Sequence, residues 1–177
     1  MELALDLTPG IAVADVVLSE IDVDRNGLIS VAEARAYADR VLSAIALDVD
    51  GIPLRVELTE STFPTLDSVR NGEGTARIHA AASMPRLADG LHHLRYRNAY
   101  RSDIGVYLAN ALVPASDRVI VATQRRDLYQ RDLVIDYMLS GKSTPTGRRG
   151  LSVGAAGALI LIANIWWRTR TRRREDL

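Results

Sequence analysis

One stretch of twelve residues, DVDRNGLISVAE at 22–33, restricts this chain more than any other. Asp22, Asp24, Asn26, Gly27 and Glu33 satisfy every fixed position of the EF-hand loop pattern D-x-[DN]-x-[DN]-G-x5-E. Calcium is a hard cation that takes six to eight oxygens, so such a loop places short carboxylate and amide side chains at alternate positions. The expected ligands are side-chain oxygens of Asp22, Asp24 and Asn26, the backbone carbonyl of Leu28, Ser30 directly or through water, and both carboxylate oxygens of Glu33. Gly27 supplies the turn where a side chain would be strained. The plain alternative is a polar turn between two helices that holds no metal. Ile29 occupies the position at which paired loops join by a short strand, yet the sequence has no second complete loop. Asp48-Val49-Asp50-Gly51 starts like one, but its glycine comes at the fourth position and Thr59 stands at the twelfth. A lone hand must therefore pack on the rest of the chain, pair with another copy through Ile29, or bind weakly.

Around the loop the apolar period is helical. Ile11, Ala14, Leu18 and Ile21 precede it, and Ala34, Tyr37, Val41 and Ile45 follow it, with Arg35 and Asp39 as an i,i+4 pair on the wetter face. Elsewhere the period is two. Leu3, Leu5 and Leu7 alternate with Ala4 and Asp6 until Thr8-Pro9-Gly10 ends the run. Asp50-Gly51 between 47–49 and 54–58 reads as a hairpin turn. Further strands are expected at 75–81, 91–97, 104–112, 118–123 and 133–139. Many short strands without crossover helices predict a mainly β, sandwich-like domain with the EF-hand inserted after its first strand. The first strand (1–10) should pair within that domain, because Leu3, Leu5 and Leu7 have no other sheet to bury them.

The chain from residue 140 onward divides sharply by composition. Residues 140–150, SGKSTPTGRRG, read as a linker. Residues 151–167, LSVGAAGALILIANIWW, carry no charge and lie between Arg148-Arg149 and an arginine-rich tail at 168–177. That run predicts a transmembrane helix of about 25 Å, with Trp166 and Trp167 at an interface and arginines snorkelling at its ends. The competing reading is an apolar helix buried at the end of the β domain. Gly150, Gly154 and Gly157 would let a span pack closely against another helix, so a membrane protein or a second copy is a candidate partner. The larger cluster of arginines after the span places the tail in the cytoplasm and residues 1–150 outside a bacterial inner membrane, in the periplasm. The opening MELALDLTPG lacks the features of a signal peptide.

Composition narrows the chemistry. Cysteine is absent, which removes disulfides and thiolate catalysis, and 22 basic residues balance 22 acidic ones, so net charge gives no reason to expect nucleic acid. The three histidines, His79, His92 and His93, have no recognised metal spacing, and adjacent residues of a strand face opposite sides. No nucleophile has a visible partner, so no catalytic residue is expected. Arg95, Arg97, Arg101, Arg125, Arg126 and Arg131, interleaved with Tyr96, Tyr100 and Tyr129, read as a solvated sheet face paired to Asp103, Asp127 and Asp132, or else as a site for anionic lipid or a partner's carboxylates.

The stretches LDLTPGIAVADVVLSEIDVDRNGLISVAEARAYADRVL, DGIPL, LRYRNAY and LVPASDRVIVATQRRDLYQRDLVIDYML resemble a group of bacterial envelope proteins with an EF-hand helical pair before a β-sandwich-like region. Some of those are associated with, or fused to, membrane proteins of the nickel/cobalt transporter type. The resemblance spans 5–139, with 55–93 matched loosely, and transfers specific roles only to the loop. Its other matches imply fold alone, and the loop and the apolar span together lead to the expectation of a membrane-anchored calcium-binding adaptor or accessory protein without catalytic activity, with an accessory subunit of nickel/cobalt uptake as the alternative and an enzyme of unknown chemistry behind both. One helix cannot by itself form a transport path.

Overall fold

The computed structural model describes residues 1–112, 114, 116–141 and the backbone of 160–167. It is mainly β, with two five-stranded sheets stacked as a sandwich. Strand β1 (Glu2–Thr8) leads into helices α1 (Ile11–Ile21) and α2 (Val31–Ser43). Then come β2 (Ile45–Val49), β3 (Ile52–Pro53), β4 (Val56–Thr62), the short helix α3 (Leu66–Arg70), β5 (Ala76–Ala82), β6 (Gly90–Asn98), β7 (Gly105–Ala111), β8 (Val119–Arg126), β9 (Asp132–Leu139) and β10 (Ile160–Trp167). One sheet has the order β4-β5-β1-β10-β7 and the other β3-β2-β6-β9-β8.

Alternation decides what lies between the sheets. Leu3, Leu5 and Leu7 of β1 are almost wholly buried, facing Ile78, Leu94, Leu133 and Ile135 in one core, while Asp6 and Arg77 meet on the outer face. β1 pairs antiparallel with β5, so the two helices are inserted between the first strand and the rest of its sheet. Burial of these side chains supplies the main driving force for the sandwich.

The helix pair is welded to the sandwich at several points. From α2, Tyr37, Ala38, Val41 and Leu42 enter the main core, the Tyr37 ring standing edge-on to Phe63 and Tyr100. From α1, Ala14 and Leu18 pack on Leu66 and Val69 of α3, a helix that the sequence reading did not anticipate. Ile29 lies against both clusters. Of the arrangements expected for the helix pair, the structure has the first: it packs on the β domain of its own chain.

Three expectations need correction. Asp50 and Gly51 do form the hairpin turn, both at positive φ, but its second strand is only Ile52–Pro53. Pro53 offers no N–H to prolong the ladder, and Val56–Thr62 crosses to pair with β5 in the other sheet. Tyr96 and Tyr100 are core residues, since alternation along β6 turns Tyr96 inward and leaves Arg95 and Arg97 outside. The third concerns the apolar C-terminal run. Ile160–Trp167, the second half of the expected transmembrane helix, is a strand parallel to β1 and antiparallel to β7. An unbroken apolar run suits an interior strand as well as a membrane helix, and period alone does not separate the two. Among the described residues no helix is long and apolar enough to cross a membrane. Residues 142–159 and 168–177, which carry most of the expected linker, the first half of that helix and the basic tail, lie outside the described residues.

Candidate metal centre

The loop begins where α1 ends. Asp22 is the C-cap of α1, its N–H bonded to the Leu18 carbonyl, and Ser30 is the N-cap of α2. Ser30 and Glu33 form a reciprocal capping box in which Oγ of Ser30 accepts from the Glu33 N–H while Glu33 Oε2 accepts from the Ser30 N–H at 3.0 Å. The Ser30 hydroxyl also donates to Oε2, at 2.7 Å. Such caps satisfy backbone donors that a helix start leaves open. Here the cap also aims Glu33 across the loop, where Oε1 receives the N–H groups of Val23 and Asp24.

Asp22 turns inward and is buried, its two oxygens accepting the N–H groups of Asn26 and Gly27 at 3.1 Å. Asp24 receives the Asn26 backbone and side-chain N–H, and Oδ1 of Asn26 receives the Leu28 N–H. Arg25 and Gly27 both have positive φ, which winds the loop tightly enough for its side chains to converge. Added at Gly27, a Cβ would meet nothing within 4 Å, so the conformation, not space, requires glycine there.

The outcome is one group of carboxylates. Oxygens of Asp22, Asp24 and Glu33 lie within 4.8 Å of one another, the only such cluster of three or more His, Asp or Glu ligands among the described residues. Asn26, Leu28 and Ser30 sit in the same turn, tied to it by the bonds above. The donor set is all oxygen, which suits a hard cation such as calcium or magnesium and gives no nitrogen or sulfur to nickel or cobalt. The Ser30 hydroxyl and backbone N–H, then the N–H groups of Asp24 and Val23, hold the Glu33 carboxyl below its usual range, so it stays ionised and ready for a cation.

The histidines do not join this centre. His92 points into the sandwich, with Nδ1 2.7 Å from Asp50 and Nε2 2.8 Å from the Ala88 carbonyl. His93 faces out, with Nδ1 2.7 Å from Asp136. Asp136 also accepts from the Thr123 hydroxyl and lies 2.8 Å from Arg125, and these partners, Thr123 first, draw its carboxyl down to about 2. A bulge in β8 between Val121 and Thr123 sets Thr123 opposite Asp136. This cluster was not visible beforehand, because its members come from three strands and meet only through register. His79 lies on the exposed face of β5, away from both.

The helix pair is fastened beside the loop by charge as well as packing. Glu20, two residues before Asp22, accepts from the Tyr100 hydroxyl at 3.1 Å and pairs with Arg101, which also bonds Asp103. Beside the loop a groove of about 330 Å³ runs between Leu28, Val31 and Ala34 on one side and Phe63, Pro64 and Leu66 on the other. Set against known proteins, this chain matches no family model, no curated protein and no solved structure.

Proposed function

We propose that residues 22–33 bind calcium through Asp22, Asp24, Asn26, Leu28, Ser30 and Glu33, and that the protein is a non-catalytic calcium-binding adaptor or accessory protein. The observation that carries this reading is the convergence of the Asp22, Asp24 and Glu33 carboxylates within 4.8 Å in a loop of EF-hand sequence. Three carboxylates so close repel one another, and a cation relieves that repulsion. Calcium is preferred to magnesium because it accepts more oxygens at longer range, whereas magnesium keeps its waters and a small octahedron. The adaptor role is supported by the groove beside the loop and by Leu28 and Val31 on its rim, both largely exposed. A cation that fixes the loop would fix that rim, since α1 and α2 are already anchored on the sandwich.

Calorimetric titration of the full chain with calcium and with magnesium, repeated on Glu33→Gln, tests this. Calcium should bind and magnesium bind more weakly, and E33Q should lose affinity for calcium while keeping the capping box, since Gln serves at that position too. No calcium binding at millimolar concentration would reduce the loop to a structural turn. Unchanged affinity in E33Q would put the metal elsewhere.

A second reading concerns the tether. The uncharged run at 151–167 between arginine clusters favours a bilayer anchor with residues 1–150 in the periplasm. That reading and strand β10 assign 160–167 to different places. Release of the full chain from membranes only by detergent would support the anchor, and recovery of a detergent-free chain would support the strand.

A further inference from the structure

The end of the sandwich farthest from the loop at 22–33 holds a cavity of about 780 Å³, within the range of small-molecule sites. Its position follows from register. Glu2 pairs with Ala81 at the start of β1, and the loop after β5 closes over the space toward Val119, Tyr137 and Leu139 of the other sheet. The metal loop instead lies beside Ser61–Leu66, by the far end of β4. Ala82, Met84, Leu87, Val119 and Leu139 form its apolar wall, with Arg86 and Arg118 among the polar residues that complete the lining.

Charge points to what would fill it. At the mouth Arg86 has no ion-pair partner among the described residues and Arg118 gives its Nε–H to the Ser140 carbonyl, while Glu2 is the one carboxylate among the described lining residues. Tyr137, 4% exposed, lines the inner wall. Exposed apolar side chains ring the same end. Leu91, Met138 and Ile120 stand in one row across β6, β9 and β8, on the face outside the cavity.

We propose that this cavity binds a single-chain anionic amphiphile, a fatty acid or a lipid of like chemistry, with its hydrocarbon chain between the sheets and its head group at Arg86 and Arg118. The apolar side chains of the lining suit the hydrocarbon chain, and the two arginines suit the anion. His92 braces the wall, since its ring packs on Tyr137 while its nitrogens hold Asp50 and the Ala88 carbonyl of the closing loop.

The test is titration of the full chain, in calcium-free buffer, with monomeric dodecanoate, decanoate and the neutral dodecanol. Dodecanoate should bind, and loss of two methylenes should weaken it about fifteen-fold if the chain is buried. Dodecanol should bind more weakly than dodecanoate. The double variant Arg86→Glu/Arg118→Glu, at exposed positions that leave the core intact, should abolish that preference for the anion. Val119→Trp should block all three ligands while melting like the parent. Vesicles of phosphatidylglycerol separate the sources of the ligand: binding to vesicles without binding of monomeric dodecanoate would mean a surface contact of the apolar rim and would overturn the proposal. So would equal affinity for decanoate and dodecanoate, or an anion preference that survives the charge reversal.

Discussion

Glu33 and His92 show how one side chain carries two demands. Glu33 completes the capping box of α2 and aims at the loop, so Glu33→Ala should lose both its half of the box and the proposed cation, whereas E33Q should lose the cation alone. Comparing the two melts without and with calcium separates those losses. His92 is a different case, because its role is pH-dependent. The bond to Asp50, with the Ala88 carbonyl, raises its pKa, and the same bond lowers that of Asp50. A raised histidine pKa gives stability that is complete below the unfolded value of about 6.5 and is lost as pH rises through the folded value. Stability should therefore fall as pH rises from about 6.5 through the raised folded value, and Asp50→Asn should flatten that fall and return the imidazole NMR titration of His92 toward its ordinary midpoint. An unaltered midpoint in D50N would refute the pairing. Neither histidine's partner could be read from sequence: alternation showed that His92 and His93 face opposite ways, but Asp50 and Asp136 reach them from 42 and 43 residues away. The convergence of Asp22, Asp24 and Glu33 was legible because all three lie within one twelve-residue window.

At the scale of elements, what was legible followed periodicity. β5, β6, β7, β8 and β9 lie within a few residues of the expected strands, and α1 and α2 flank the loop as the three- and four-residue spacing implied. Pairing was less legible. The hairpin turn was visible in Asp50-Gly51, yet which strand would follow it depended on Pro53 ending the ladder and on an open edge of β5 elsewhere. α3 is five residues long, too short for any periodic signal, and its start is marked only by Thr65, whose hydroxyl accepts from the Ser68 N–H. β10 is the hardest case, because an apolar run has the same appearance to a sheet interior and to a bilayer. Its place between β1 and β7 makes a direct prediction. Ile162→Pro would remove a ladder donor from an interior strand, where proline is not accommodated, and orphan a carbonyl at a cost of about 1–3 kcal/mol. The full chain should then melt several degrees lower. Melting of the sandwich unchanged by I162P would mean that the segment is not part of the sheet, and would favour the membrane anchor.

For the whole molecule, the proposed calcium loop is tied to the core through Ile29 and through Glu20 and Tyr37 of the flanking helices, so a cation held there would be linked to global unfolding rather than to a local fray. A ligand that binds only the folded state stabilises it by RT ln(1 + [L]/Kd). Loops of this kind in extracellular modules bind with Kd of about 10⁻⁴–10⁻³ M. At 1 mM calcium and a Kd of about 10⁻⁴ M the gain is about 1.4 kcal/mol, or a rise in melting temperature of about 3–6 °C for a chain of this size. The rise should grow with the logarithm of calcium concentration, be smaller for magnesium, and vanish in E33Q. Because β4, β5 and β1 join the loop's end of the sandwich to the cavity end, every probe of the core should report the same shift: tyrosine signals from Tyr37 beside the hand and from Tyr137 at the far end should move together. A calcium-dependent change at Tyr37 with none at Tyr137 would mean that the hand unfolds separately from the sandwich, and would remove the basis for a calcium effect on the whole.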